Sequence, residues 1–189
     1  MKKDLIYSLT CLAFSIIIGG AVYEHLNVVP KWTAGPPASL EMFQGRYGLK
    51  PELFWMIIHP VTITLLIISL IMQRKSPRKK NLVIVLLNYI LVLVITSIYF
   101  VPELIEITTT SYATTIDGNL THRANLWEIL SIIRLAFLII LSLVLFTGLT
   151  KSGNSIKSSL TGKDPAFSTP SKKATSIHPT VHHNKSLIH

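Results

Sequence analysis

The sequence predicts an all-α fold, an integral membrane four-helix bundle followed by a disordered cytoplasmic tail, and three observations carry that prediction. Four apolar runs, residues 5–23, 53–73, 82–101 and 124–148, are 19, 21, 20 and 25 residues long. Hydrophobic residues make up 49% of the chain, and its mean hydropathy of +0.49 is too high for a soluble domain of this length. The formal charges fall before, between and after the runs, with only Glu128 and Arg134 inside one.

A hydrocarbon core of about 30 Å is crossed by about 20 helical residues at ~1.5 Å each, so all four runs are long enough. Strands of a membrane barrel would be about 10 residues long and would alternate. Backbone in lipid must satisfy its own hydrogen bonds, and a helix does so. The helices are therefore expected at about 5–26, 52–73, 81–101 and 124–148, within one transmembrane domain over residues 1–150. Residues 151–189, rich in Ser, Thr, Lys and Pro without an apolar period, read as a disordered basic tail.

The formal net charge of +9 is informative through its placement. Lys2 and Lys3 precede the first run, Arg74, Lys75, Arg78, Lys79 and Lys80 join the second to the third, and six lysines follow the fourth. Those thirteen cations lie on one side, against Lys31, Arg46, Lys50 and Arg123 on the other. The positive side faces the cytoplasm, which places both termini there in a multi-pass protein of the plasma (inner) membrane. A nucleic-acid binder would spread its cations over a folded surface or groove, so the expected partner is the lipid bilayer and not nucleic acid. The single cysteine, Cys11, forms no intrachain disulfide.

The first run has two readings. Its basic start and Gly19-Gly20-Ala21 resemble a cleavable signal peptide. Asp4 in the n-region, apolar residues continuing to Tyr23, and a small-residue stripe of Cys11, Ser15 and Gly19 suit a retained, closely packed helix. Residues 27–52 form an outer loop with four prolines, of which Pro51 suits the first turn of the second helix. Pro60 follows His59 inside that helix, removes an amide donor and kinks the axis. After the third run, Pro102-Glu103-Leu104-Ile105-Glu106 reads as the start of a second outer loop.

Polar groups in lipid cost about 2.5–3.5 kcal/mol per charge, so they face the bundle interior and find partners. Glu24 and His25 end the first helix, His59 lies two turns into the second, and His122 and Glu128 lie at the start of the fourth. With Glu103 and Glu106, these residues gather toward one membrane face. Trp127, Ser131 and Arg134 recur at spacings of four and three and share a stripe. Arg134 is ~15 Å along the helix from Ala124, near the midplane, and needs an anion or carbonyls. Glu24 and Glu128 are its candidate counterions, and Asn88 a candidate hydrogen-bond partner. Arg134 serves either to lock the bundle or to bind a ligand. Interfacial carboxylates and histidines also have a plainer reading, as groups facing headgroups or water.

These residues resemble the anthrone-oxygenase-like family of small four-helix membrane proteins. That family's first helix ends in a Gly-rich turn and a proline, similar to Gly19-Gly20-Ala21-Val22 followed by Val29-Pro30. Its last helix carries Trp, a small polar residue (usually Asn) and Arg, which looks like Trp127, Ser131 and Arg134. The resemblance covers about residues 5–148 and departs from the pattern at Ser131. It implies a four-helix fold and oxidation of a phenolic substrate by O₂ without metal or flavin.

The leading expectation is an outer-leaflet pocket for a small hydrophobic ligand, phenolic or quinone-like, in an oxidoreductase of this kind. His59 or His25 would be the base and Arg134 would stabilise the anion, with Glu24, Trp127, Ser131, Glu128 and Asn88 lining the site. The alternative is a metal or haem held by His25, His59 and His122, and a third is a non-enzymatic membrane component.

Overall fold

The computed structural model describes residues 2–151, so the tail expected over 151–189 lies, apart from Lys151, outside the described residues. The described residues are helical and contain no strand: α1 (Lys2–Asn27), α2 (Val29–Thr33), a 3-10 helix (Ala38–Phe43), α3 (Glu52–Met72), α4 (Lys79–Ile95), a π-helical segment (Thr96–Phe100), α5 (Val101–Thr108) and α6 (Gly118–Thr150). Four stretches are long and apolar enough to cross a membrane: Lys2–Thr33, Glu52–Met72, Lys79–Thr108 and Gly118–Thr150. This is the architecture of a multi-pass membrane protein.

The long helices form a ring in which α1 packs on α3 and α6, and α4 on α6 and α3. The α3–α4 side is the least closely packed, and above it α3 diverges from the π segment and α5. Two apolar cores stack along the bundle. One joins Tyr7, Phe14, Ile17, Leu66, Val85, Tyr89, Leu141 and Leu145 from all four long helices. The other joins Val29, Trp32 and Leu40 of the α1–α3 connection to Phe100, Ile107, Leu120 and Trp127. The 27–52 segment is therefore a folded cap. Trp32 is 1% exposed, and its ring meets Trp127 edge-on at 5.4 Å.

The third span differs most from expectation. It runs through Pro102 to Thr108 instead of ending near residue 101. Pro102 has no N–H for the carbonyl of Ile98, and its ring crowds that carbonyl. Widening the preceding turn to a π segment at Thr96–Phe100 accommodates the proline without ending the helix. α6 starts at Gly118, six residues before the expected position, because Asp117 caps it by accepting from the backbone N–H groups of Asn119 and Leu120.

The end carrying Lys2, Arg78 and Lys151 is tied together by polar contacts. Arg78, 5% exposed, donates to Asp4 at 2.8 Å and lies over the Tyr7 ring at 5.1 Å. The Tyr7 hydroxyl donates to the Leu145 carbonyl at 2.5 Å. The Asn81 amide donates to the Val144 carbonyl and to the Thr147 hydroxyl, and its carbonyl accepts from Lys151.

The expected Cys11–Ser15–Gly19 packing stripe is corrected by one residue. Gly19 faces outward with nothing within 4 Å of an added Cβ, whereas Gly20 faces the exposed Phe54 ring at 2.7 Å. Gly19→Ala should therefore stabilise the protein by up to about 1 kcal/mol through helix propensity alone. Gly20→Ala should change stability by less than about 1 kcal/mol, because the exposed ring can turn away. Unfolding curves in detergent check both, and a clear loss for Gly19→Ala would contradict the outward placement.

Candidate functional site

Between the two cores each long helix contributes polar groups to one layer. α1 brings Glu24 and His25, α3 brings His59, α4 and its π segment bring Tyr89 and Thr96, and α6 brings Glu128, Ser131 and Arg134. His59 and Tyr89 share a hydrogen bond of 2.7 Å through Nδ1 and the hydroxyl. Trp55, one turn before His59, stacks on the imidazole at 5.3 Å and donates its indole N–H to Glu24 at 2.9 Å. Glu24, Trp55, His59 and Tyr89 thus form a continuous chain across three helices.

Arg134 ends on the π segment. One guanidinium nitrogen donates to the Thr96 hydroxyl at 3.1 Å, and the guanidinium carbon lies 4.1 Å from the centre of the Phe100 ring. Trp127 holds the same segment by donating its indole N–H to the Phe100 carbonyl at 2.9 Å. Among the described residues Thr96 is the one hydrogen-bond acceptor of this guanidinium, which has five N–H donors. Glu24 and His59 are within electrostatic range of Arg134.

The counterion expectation holds only at longer range, through Glu24, and not as a direct pair. Among the described residues no carboxylate stands at ion-pairing distance from Arg134. Glu24 is occupied by Trp55, and Glu128 accepts from the Thr33 hydroxyl at 2.6 Å, tying α6 to the cap. Asn88 is also corrected, because its amide donates to the Ile84 carbonyl of its own helix. Glu103 and Glu106 bind Arg123 between α5 and α6, with nitrogen–oxygen distances of 2.7 and 2.9 Å.

His25 is engaged at both ring nitrogens. Nδ1 lies 2.8 Å from the Ala21 carbonyl, which only accepts, so this nitrogen carries a proton. In the neutral ring Nε2 then accepts from the Ser131 hydroxyl at 2.7 Å. Ser131 also lies 2.9 Å from the Glu128 carbonyl, and its single proton serves one acceptor at a time. His25 is thereby a strut between α1 and α6, whereas His59 has one nitrogen without a hydrogen-bond partner among the described residues.

The proposed ligand set His25, His59 and His122 is not brought together. His122 is exposed on α6, and among the described residues no three His, Cys, Asp or Glu side chains are grouped to hold a metal ion. Where α3 and α4 separate, a groove of about 270 Å³ is lined by Ile63, Ile90, Leu93, Val94, Ser97 and Ile98. Ile90, Val94 and Ile98 are exposed, so the groove opens sideways toward lipid. Its lining residues Ser97 and Leu93 follow Thr96 by one position and Tyr89 by one turn.

Thr96, Phe100, Trp55 and Tyr89 are absent from the sequence-derived set. Trp55 and His59 do carry a signal, since a spacing of four on one helix stacks side chains. Pro102 carries another, because a proline four residues after Ile98 inside an apolar stretch marks where the turn must widen. No family model, curated protein or solved structure matches this chain.

Proposed function

We propose that this membrane protein binds the acidic head of a small amphipathic molecule, phenolic or quinone-like, in the polar layer between its two cores. The observation that carries the reading is Arg134, a cation set within the bundle with one hydrogen-bond acceptor and no paired carboxylate. An arginine fork matches a planar anion with two oxygens better than a lysine does. The apolar groove between α3 and α4 offers the ring or chain of such a molecule a lipid-facing apolar surface close in sequence to Tyr89 and Thr96. On this reading the positively charged end and both termini face the cytoplasm, and the layer lies in the outer half of the plasma membrane.

The resemblance to anthrone oxygenase extends the proposal to chemistry. His59 takes a proton from the bound phenol, Arg134 holds the resulting phenolate, and dioxygen is the oxidant. Tyr89 fixes the imidazole, and Trp55 shields it on one face.

Quenching of tryptophan fluorescence by a hydroxynaphthoquinone tests the binding step, with its neutral methyl ether as the control. The acidic form should bind at least tenfold more tightly than the ether, and Arg134→Leu should remove that preference, since a charged hydrogen bond is worth about 1.5–3 kcal/mol. Equal binding of acid and ether, or no effect of Arg134→Leu, would contradict the reading. His59→Ala should retain quinone binding and, with the corresponding hydroquinone as substrate, lose the dioxygen consumption that turns hydroquinone and O₂ into quinone and hydrogen peroxide.

A further inference from the structure

We infer that the opposite end of the bundle carries a binding site for anionic phospholipid, independent of the Arg134 layer. The α3–α4 connection is short and internally closed: the N–H of Ser76 donates to the Gln73 carbonyl at 2.8 Å, and that of Lys79 to the Ser76 carbonyl at 3.0 Å. Two of its side chains turn inward and fasten it to α1. Gln73 donates to the Lys3 carbonyl at 3.3 Å, and Arg78 is buried against Asp4 and the Tyr7 ring.

With those two side chains committed inward, the remaining cations face outward. Arg74, Lys75, Lys79 and Lys80 are all exposed, beside the exposed Lys2 and Lys3 of α1. Asp4 is the one carboxylate among the described residues at this end, and it is already bonded to Arg78. Six cations therefore share one rim at the end of four apolar helices, held there by a pinned connection.

This placement selects the ligand. A phosphate diester at the hydrocarbon boundary meets the rim while its acyl chains lie on the exposed apolar residues just beyond, such as Leu5, Leu9, Ile71 and Ile84. A soluble anion would gain the charge contact alone. Phosphatidylglycerol and similar headgroups with a net negative charge fit, whereas a zwitterionic headgroup brings its own cation against the rim. Each cation near an anionic leaflet strengthens attraction about fivefold.

Native mass spectrometry of the full chain, released from detergent with an equimolar mixture of phosphatidylglycerol and phosphatidylcholine, tests this. The unmodified protein should retain phosphatidylglycerol at least tenfold over phosphatidylcholine, and glycerol phosphate added in excess should not displace it. Arg74→Gln, Lys75→Gln, Lys79→Gln and Lys80→Gln together should reduce the preference to near parity. Lys31→Gln, Arg46→Gln and Lys50→Gln together, at the other end, should leave it intact. No preference in the unmodified protein, displacement by glycerol phosphate, or a preference that survives the fourfold change would overturn the site. Because Arg134 is unchanged throughout, failure here leaves the hydroxynaphthoquinone experiment standing.

Discussion

Arg134→Leu is expected to make the ligand-free protein more stable, by about 1–2 kcal/mol, while abolishing its preference for an acidic ligand. A charge at the bilayer centre costs about 2.5–3.5 kcal/mol on insertion, and part of that cost falls on Arg134, which stands nearer one boundary. The bundle returns only part of this, through one hydroxyl hydrogen bond, a cation–ring contact worth about 0.5–2 kcal/mol and the longer-range attraction of Glu24. Leucine removes the cost and breaks no direct ion pair: Glu128 keeps its Thr33 donor, and Glu24 keeps its Trp55 donor while losing the longer-range attraction of Arg134. Double variants with Glu24→Gln or Glu128→Gln should therefore be close to additive, with couplings below about 1 kcal/mol. The measurement is unfolding in detergent or bicelles for single and double variants. A loss of 3 kcal/mol or more that the second substitution restores would establish a buried ion pair and remove the basis for an anion site.

Gly148→Ala should produce a large loss for so small a change within the bundle, about 1–4 kcal/mol. A Cβ at Gly148 meets the Tyr7 hydroxyl oxygen in hard overlap and the ring carbon bearing it at 2.7 Å. Tyr7 is 0% exposed and cannot withdraw, because it donates to Leu145 and lies under the Arg78 guanidinium. Overpacking of a closed site costs about 1–3 kcal/mol, and displacing the hydroxyl forfeits about 1 more. The better helix propensity of alanine returns at most about 1 kcal/mol. Tyr7→Phe with Gly148→Ala removes the overlapping oxygen and should recover part of the loss, giving a coupling above about 1 kcal/mol in a double-mutant cycle. A neutral Gly148→Ala would show that α1 and α6 do not meet here as described.

The contrast between Gly148 and Gly19 shows where the sequence is legible. Hydropathy places both glycines in membrane helices, because length and lack of charge suffice for that. Which one touches a neighbour depends on the rotation of each helix, and a helix that is apolar on all sides carries little periodicity to set it. The same limit explains Asn88, which is polar within an apolar helix yet satisfied by its own backbone, as asparagine can be. The Trp127, Ser131 and Arg134 stripe was readable because polar and aromatic residues marked one face. Its partners were not, since Thr96 and Phe100 reach Arg134 only through a widened turn whose cause, Pro102, looks locally like the end of a helix. The cap was likewise hidden, because its four prolines and three glycines are those of an open loop.

The unequal lengths of the spans make bilayer thickness a variable of the polar layer. α3, with 21 residues, rises about 31 Å and just matches a hydrocarbon core, whereas α6, with 33, rises about 50 Å. With Thr150 at one hydrocarbon boundary, Arg134 stands about 24 Å from it, which leaves roughly 6 Å of hydrocarbon to the other. In a bilayer a few Å thinner, the guanidinium reaches the headgroup boundary and exchanges its buried character for hydration. In a thicker one it sinks, the cap is drawn toward the lipid, and the α3–α4 groove lengthens against the acyl chains. Acyl-chain length would thus set how strongly this arginine is hydrated, with no change in the protein's own contacts.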